Sequence, residues 1–551
     1  MSARHTSLFA FVVAVTVTVL AAGCNLSTLQ GRSQGTSAQG PIRFENRYPA
    51  SGIDFRLGHN GRSPLNIQDT IGHGIALLDC DGDGNLDIIM TGPDHVRLYK
   101  NIGNFHFVDV TEGSGLRQKG YWQGVAVGDV DNDGRPDLYL AGKGESALYR
   151  NLGGGHFQDM TAVAGLTVTD PNRWNSAALF FDYDQDGKLD LFVGAYVNLG
   201  KNSGLCQSGD TMMACAPITF GAQKGVLYHN TGNWHFKPVD LGGLTHGKVL
   251  GAIGGDLYGD GGVELYLAND VMEADMLRYQ GKGRWRADGV LSGTAFNSDG
   301  HAMGGMGVSV ADYDGDGRLD LVVGTFSRDP RSLFHNDGGG LYSNKGFQSG
   351  ISGLTTFYVA FGTEFADLDN DGWPDLVMVN GHVQDQPQRL DKDLSYAEPT
   401  QILRNLGDGR FADVSSGAGP AVSQRIVGRA LCVGDFDNDG KQDLVIGNLE
   451  GPPLILRNTS PSPSHWLRVK LIGKTCNRDG QGAIVTCSAG GRKQVRLATT
   501  GGSYYSACDP RVHFGLGGAQ KVDSLTVRWP GGKEQSVSNV PIDRDIEVRQ
   551  P

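Results

Sequence analysis

Short apolar runs alternate with short acidic clusters along most of this chain. The runs LDIIM, LYL, LFVG, LYLA, LVVG, LVMVN and LVIG each follow a cluster of carboxylates, and runs such as GVAVG at 124–128 and LCVG at 431–434 precede one. β-Branched runs on both sides of a tight Gly-containing loop predict a hairpin. A second hairpin follows, around an Asn-x-Gly turn: LYKNIGNFHFVDVTEGSGL at 98–116, LYRNLGGGHFQDMTAVAGL at 148–166, LYHNTGNWHFKPVDLGGL at 227–244 and LRNLGDGRFADVSSGAG at 403–419. Two hairpins make four strands, and the unit repeats every 50 to 74 residues. That is the size of a propeller blade.

The acidic clusters share one pattern. DVDNDGRPD at 129–137 recurs as DCDGDGNLD at 79–87, DYDQDGKLD at 182–190, DYDGDGRLD at 312–320, DLDNDGWPD at 367–375 and DFDNDGKQD at 435–443, with a weaker copy, DLYGDGGVE, at 256–264. Ca²⁺ takes six to eight oxygens at about 2.3–2.6 Å, so several carboxylates must converge from a short loop. In the 129–137 copy Asp129, Asp131 and Asp133 can turn inward, Gly134 permits the bend, the Arg135 carbonyl adds an oxygen and Asp137 closes the shell. The equivalent sets are Asp79, Asp81, Asp83, Asn85 and Asp87; Asp182, Asp184, Asp186, Lys188 and Asp190; Asp312, Asp314, Asp316, Arg318 and Asp320; Asp367, Asp369, Asp371, Trp373 and Asp375; and Asp435, Asp437, Asp439, Lys441 and Asp443. The seventh position supplies its main-chain carbonyl. Oxygen-only ligation suits a hard ion. The expectation is Ca²⁺, about six ions, with a seventh if Asp256, Asp260 and Glu264 suffice without the carboxylate that Tyr258 replaces. Bare acidic turns are the competing reading, which six complete copies at blade spacing disfavour. An EF-hand needs Glu at position 12 between helices; here that position is Met90, Leu140, Val193, Leu267, Val323, Met378 and Ile446. The EF-hand reading fails.

The last unit runs from LILRN at 454–458 into SPSPSHW and lacks its fourth strand. FENRYPASGI at 44–53 matches FVDVTEGSGL at 107–116 in register, so the N-terminal segment can complete that blade and remove an exposed edge. The expected fold is all-β: a seven-bladed β-propeller over 42–459 followed by a small β domain over 465–551.

Charge supports ion cages. The net charge is −12, and 27 of the 60 carboxylates lie in the seven loops. Clustered carboxylates repel unless cations intervene, and six divalent ions would bring the chain near neutrality. From Trp466 onward the chain is basic, 13 Lys/Arg against 7 Asp/Glu, so this tail can dock on the acidic propeller or hold an anion. Residues 1–23 read as a signal peptide, the apolar run ending Leu20-Ala21-Ala22-Gly23-Cys24. That resembles a bacterial lipobox, which makes Cys24 the lipidation site and 24–41 a flexible tether; an ordinary signal peptide or an uncleaved anchor are the alternatives. In an oxidising compartment Cys206–Cys215, flanking an insertion, and Cys476–Cys487, flanking the turn NRDGQG, are candidate disulfides. Cys80, Cys432 and Cys508 cannot be paired from sequence.

The DxDxDGxxD loops between strands resemble FG-GAP/VCBS repeats of integrin-α-like propellers. HWLRVKL at 465–471, NRDGQGAIV at 477–485, GGSYYSACDPRVHFGLG at 501–517 and VDSLTVRWPGG at 522–532 resemble an ASPIC and UnbV domain. The order of the two parts, with Cys-(x8)-Cys-Ala-Pro at 206–217, resembles cartilage acidic proteins and their bacterial relatives. The resemblance implies an extracellular Ca²⁺-stabilised interaction module with no catalytic residues to carry over. Expected partners are calcium, an unknown protein or glycan, and the membrane through the N-terminal lipid, in the cell envelope or secreted. Nucleic acid is not expected, and the chain is expected to be a monomer. Two other functions stay open. One is an enzyme acting on a polysaccharide or secondary metabolite, with His73, His301 and His382 at the channel mouth. The other is a structural component of an envelope assembly. The long segments 198–225 and 381–401 are the expected partner-binding loops.

Overall fold

Ile75–Leu78, Asp87–Thr91, Val96–Asn101 and Phe107–Asp109 pair in that order as one antiparallel sheet. The computed structural model describes residues 42–551 apart from 203 and 462. Cys24, the signal peptide and the tether therefore lie outside the described residues. The same strand order occurs in seven sheets, the fourth with an added strand at Met303–Gly304. First strands such as Trp122–Gly128 are buried along their whole length, whereas Phe107–Asp109 buries Phe107 alone. A strand flanked on both faces reads as a continuous apolar run, which is what GVAVG and its equivalents are. Each first strand adjoins those of the sheets before and after it, and Gly428–Gly434 of the seventh adjoins Ile75–Leu78 of the first. The series is closed. Phe44–Asn46 pairs with Leu454–Asn458, Phe44 opposite Asn458, and supplies the fourth strand of the last sheet as expected.

Because every acidic loop joins a first strand to a second, all seven lie at one end of the strands. The connections from second to third strand lie at the other end. The long segments 198–225 and 381–401 are both of this second kind, and they meet there. Gln384 Nε2 donates to Ala214 O (2.9 Å), Arg389 Nη1 to Thr211 Oγ1 (3.3 Å) and Gln386 Nε2 to Ser63 Oγ (2.7 Å). Cys206 and Cys215 form a disulfide across the hairpin Leu205–Ser208 and Thr211–Ala214.

Residues after 465 form two sheets around Leu467, Val485, Phe514 and Trp529. His465–Ile472 pairs with Val512–Gly517 and, in parallel, with Arg544–Arg549. Ile484–Ala489 belongs to the second sheet, between Arg492–Leu497 and Val522–Arg528. The turn NRDGQG therefore joins two sheets and is not a hairpin tip. For that reason Cys476 and Cys487 do not face each other across it. Both are buried free thiols, contrary to the expected disulfide.

The segment 499–510 leaves this domain and enters the propeller channel. Ser503 exchanges two backbone hydrogen bonds with Val308 (3.2 and 2.6 Å), Tyr505 O accepts from Val125 N (3.2 Å), and Ala507 bonds Ile75 O (3.0 Å) and Leu77 N (2.9 Å). These partners are first strands of the fifth, second and first blades, so the segment spans the channel. Tyr504 is fully buried and its hydroxyl donates to Ile71 O (2.7 Å). Gly74 permits this approach, since a Cβ there would lie 2.1 Å from Tyr505 O.

Candidate metal centres

Backbone N–H groups shape each acidic loop. In the second loop Asp129 Oδ1 accepts from Asp133 N (2.9 Å) and Oδ2 from Gly134 N (2.6 Å), while Asp133 Oδ1 accepts from Arg135 N (3.1 Å). Gly134 turns at φ +92°, a left-handed conformation that costs glycine little. The ninth position closes the loop: Asp137 Oδ2 accepts from Val130 N and Oδ1 from Asn151 N, both at 2.8 Å. The same pair of bonds holds Asp87, Asp190, Asp320, Asp375 and Asp443. The position-12 residues all lie within second strands, such as Met90 in Asp87–Thr91 and Ile446 in Asp443–Asn448.

Ligand oxygens of Asp79, Asp81 and Asp87, of Asp129, Asp131 and Asp137, and of Asp182, Asp184 and Asp186 each lie within 4.8 Å of one another. That is the width of an oxygen shell about 2.4 Å in radius, the Ca²⁺–O distance. Two buried oxygens, Asp131 Oδ1 and Asp437 Oδ1, have no hydrogen-bond partner among the described residues. Burial, with neighbouring carboxylates adding to it, pushes Asp129 and Asp182 up to about 7 and Asp137 up to about 9. Without a cation these carboxylates resist ionisation; a divalent ion at their centre would reverse that. The residues therefore fit an oxygen-ligated cation. It would be held by positions 1, 3, 5 and 9 and the carbonyl at 7, and would cross-link the loop.

Sequence reasoning missed two elements of these sites. The third strand of every blade aims a basic residue at the loop carboxylates: Arg150 Nη2 lies 3.0 Å from Asp131 Oδ2, Arg404 Nε 2.9 Å from Asp369 Oδ2, and Arg457 Nη2 2.8 Å from Asp437 Oδ2. Lys100 pairs with Asp81, and His229 and His335 take the place in the third and fifth blades. For Asp131 and Asp437 the outer oxygen is thereby engaged and the inner one left unspent. In every blade but the fourth, where it is Tyr279, the next residue is Asn and ties neighbouring blades. Asn151 Nδ2 donates to Cys80 O in the first blade (3.1 Å), Asn458 Nδ2 to Leu368 O in the sixth (2.8 Å), and Asn101 Nδ2 to Phe436 O in the seventh (2.9 Å), which closes the ring. The Lys/Arg/His-Asn pair before each N-x-G turn was the available signal.

The fourth loop departs from the others. Tyr258 is buried away from the loop centre, its ring beneath the Arg278 guanidinium (5.3 Å). Arg278 Nη2 engages Asp260 (2.8 Å) and Arg528 Nη1 engages Asp256 (2.5 Å). Glu264 Oε2 closes the loop by accepting from Leu257 N and Tyr258 N. Guanidinium groups supply the positive charge here.

Arg528 belongs to the C-terminal domain, which packs on the loop face. Arg468 Nη1 lies 2.7 Å from Asp435 Oδ2, with the two side chains 1% and 2% exposed. Asp479 Oδ2 accepts from Asp129 N (2.7 Å), Asn132 Oδ1 from Arg478 N (2.7 Å), and His513 Nε2 donates to Asn370 Oδ1 (2.7 Å). The basic tail docks on the acidic propeller. The three histidines do not gather. His73 and His382 are buried, His73 donating to Trp122 O (2.6 Å) and His382 accepting from Gln384 N (2.9 Å), while His301 is exposed in a loop.

Models of the FG-GAP-like repeat match residues 79–140, 129–193, 256–323 and 312–378, the FG-GAP repeat matches 427–453, and ASPIC and UnbV matches 473–551. Cartilage acidic protein 1 of Mus musculus is 24% identical over 330 residues, 56% of this chain and 45% of that one. Integrin alpha-4 of Xenopus laevis is 30% identical over 180 residues, 30% of this chain and 16% of that one. The chain thus spans less than half the length of these relatives. An Agrocybe aegerita lectin structure that recognises non-reducing terminal N-acetylglucosamine has a TM-score of 0.40 at 16% identity, covering 70% of this chain and 94% of that one; a likeness at that score carries no argument. The chain consists of FG-GAP repeats followed by a C-terminal ASPIC and UnbV domain, and it is homologous to cartilage acidic protein 1.

Proposed function

We propose that this chain is an exported, lipid-anchored, calcium-stabilised propeller that binds a protein or glycan through the face opposite its acidic loops. One observation carries the reading. The loop face and the channel behind it are filled by the C-terminal domain, whereas the opposite face presents the long connections 198–225 and 381–401, tied to each other. Ca²⁺ in the loops would hold the scaffold without touching the partner. The channel mouth required by an enzyme is blocked on the loop side by Ser503–Ala507, so a non-catalytic role is part of the proposal. A lipid on Cys24 would hold the module at the cell envelope. Among the described residues no helix is long and apolar enough to cross a membrane.

The test is an array of glycans and purified proteins probed with the mature chain in Ca²⁺ and in EGTA. Binding should be Ca²⁺-dependent and should be lost when the hairpin 205–214 is replaced by a Gly-Ser turn. Binding that survives both changes, or no binding to any probe, sinks the proposal.

A further inference from the structure

On the face away from the loops lies a cavity of about 400 Å³ whose wall includes His59, Arg62, Asp69, His73, His95 and Tyr121. His73 is only 6% exposed. Its Nδ1 donates to Trp122 O (2.6 Å), which leaves Nε2 a bare acceptor with no partner among the described residues. Burial lowers its pKa to about 4, so the ring stays neutral. The charges beside the ring are already paired: Arg62 with Asp69 (2.5 Å), His59 with Glu450 (2.7 Å) and His95 with Asp94. Tyr121 places its ring 5.8 Å from that of His73, and its hydroxyl is spent on Gln68 O (2.6 Å).

Each class of ligand meets a different fate here. An anion would face the Nε2 lone pair at the buried end, since the cation without an ion pair, Arg56, stands exposed at the mouth over the Tyr48 ring. A cation would find every nearby carboxylate engaged. A wholly apolar molecule would leave Nε2 buried and unsatisfied, which costs about 1–3 kcal/mol. An uncharged molecule bearing hydroxyl groups satisfies all three conditions, and the cavity falls within the size range of small-molecule sites. We propose that this cavity binds a neutral sugar, one hydroxyl donating to His73 Nε2 and a C–H face lying against Tyr121. The proposal rests on the binding-module reading above and names its ligand class and place.

The experiment is saturation-transfer NMR and calorimetry of the full mature chain in Ca²⁺. The probes are a panel of neutral mono- and disaccharides, with glucuronate and Zn²⁺ as comparisons. His73→Phe removes the acceptor. Arg56→Trp narrows the mouth from an exposed position, so folding is not at issue. At least one neutral sugar should bind, and each variant should weaken it tenfold or more with an unchanged melting profile for Arg56→Trp. The proposal falls if no neutral sugar binds, if glucuronate or Zn²⁺ is the preferred ligand, or if a sugar binds equally to both variants. In that last case the binding module stands and only this pocket is lost.

Discussion

Replacing Arg468 by Met keeps the aliphatic stem and removes the guanidinium that joins the two domains at the seventh loop. Arg468 Nη1 holds Asp435 at 2.7 Å, while Nε and Nη2 hold Asp545 at 2.8 Å each and Nη2 also reaches Asn438 Oδ1 at 2.8 Å. The Asp435 partner is nearly sealed from water and the Asp545 partner is not, its side chain being 46% exposed. Breaking a buried pair by removing one member costs about 3–5 kcal/mol, because the other charge stays buried without compensation. The Asp545 contact adds at most about 1 kcal/mol. Urea unfolding of Arg468→Met in EGTA should therefore show a loss of about 3–5 kcal/mol, with faster proteolysis at the 459–464 connection.

Calcium would change that magnitude. Asp435 would also be the first ligand of the seventh loop, so a bound ion would supply the missing positive charge. In saturating Ca²⁺ the same substitution should cost less, and Asp435→Asn in the Arg468→Met background should recover stability in EGTA but not in Ca²⁺. A cost below about 1 kcal/mol in EGTA would refute the buried clamp. An equal cost in both media would refute the idea that ion and guanidinium share one carboxylate.

Metal analysis of the mature chain should find about six Ca²⁺ per molecule. Each site at a free concentration one hundred times its dissociation constant adds about 2.7 kcal/mol, so EDTA should lower the melting temperature sharply. Asp131→Ala and Asp437→Ala should each remove one ion, whereas Asp260→Ala should remove none. Asn151→Ala breaks a buried interblade bond, a half-buried loop bond and the bond from Gly153 N (2.8 Å), and urea unfolding should show a loss of about 2–4 kcal/mol. Deleting residues 42–52 removes the closing strand, and size-exclusion chromatography should then show self-association through the bared edge at Leu454–Asn458. Burial lowers both His73 and His382 to about 4. Their folded forms bind protons less readily than the unfolded chain, so their contribution is present above pH 6.5 and is lost as pH falls towards 4. Stability curves in EGTA should show His382→Asn losing less than the parent over that interval, by up to about 3 kcal/mol.

The propeller was legible because its signals are local and repeated. A run such as GVAVG before DVDNDGRPD states a buried strand, a turn and a second strand within about fifteen residues, and seven copies multiply the inference. Even the displaced closing strand was visible, since FENRYPASGI carries the register of FVDVTEGSGL. Cys476 and Cys487 show where such reading ends. Their turn looks like a hairpin tip, and only long-range pairing of His465–Ile472 with Arg544–Arg549 reveals that the flanking strands belong to different sheets. The use of the tail was equally hidden. Nothing local in GGSYYSACD announces that it enters the channel, because its partners at Ile75, Val125 and Val308 are far away in sequence and meet only once the ring has closed.

The same ring closure decides which surface is left for a partner. Seven loops rich in carboxylates form the most charged face of the propeller, and charge alone would nominate that face for recognition. Arg468, Arg528 and the 499–510 segment show it to be spent within the chain. On the proposed reading, recognition would fall to the other end of the strands, where the connections of the third and sixth blades are long and where His73 keeps an acceptor that nothing in the fold uses.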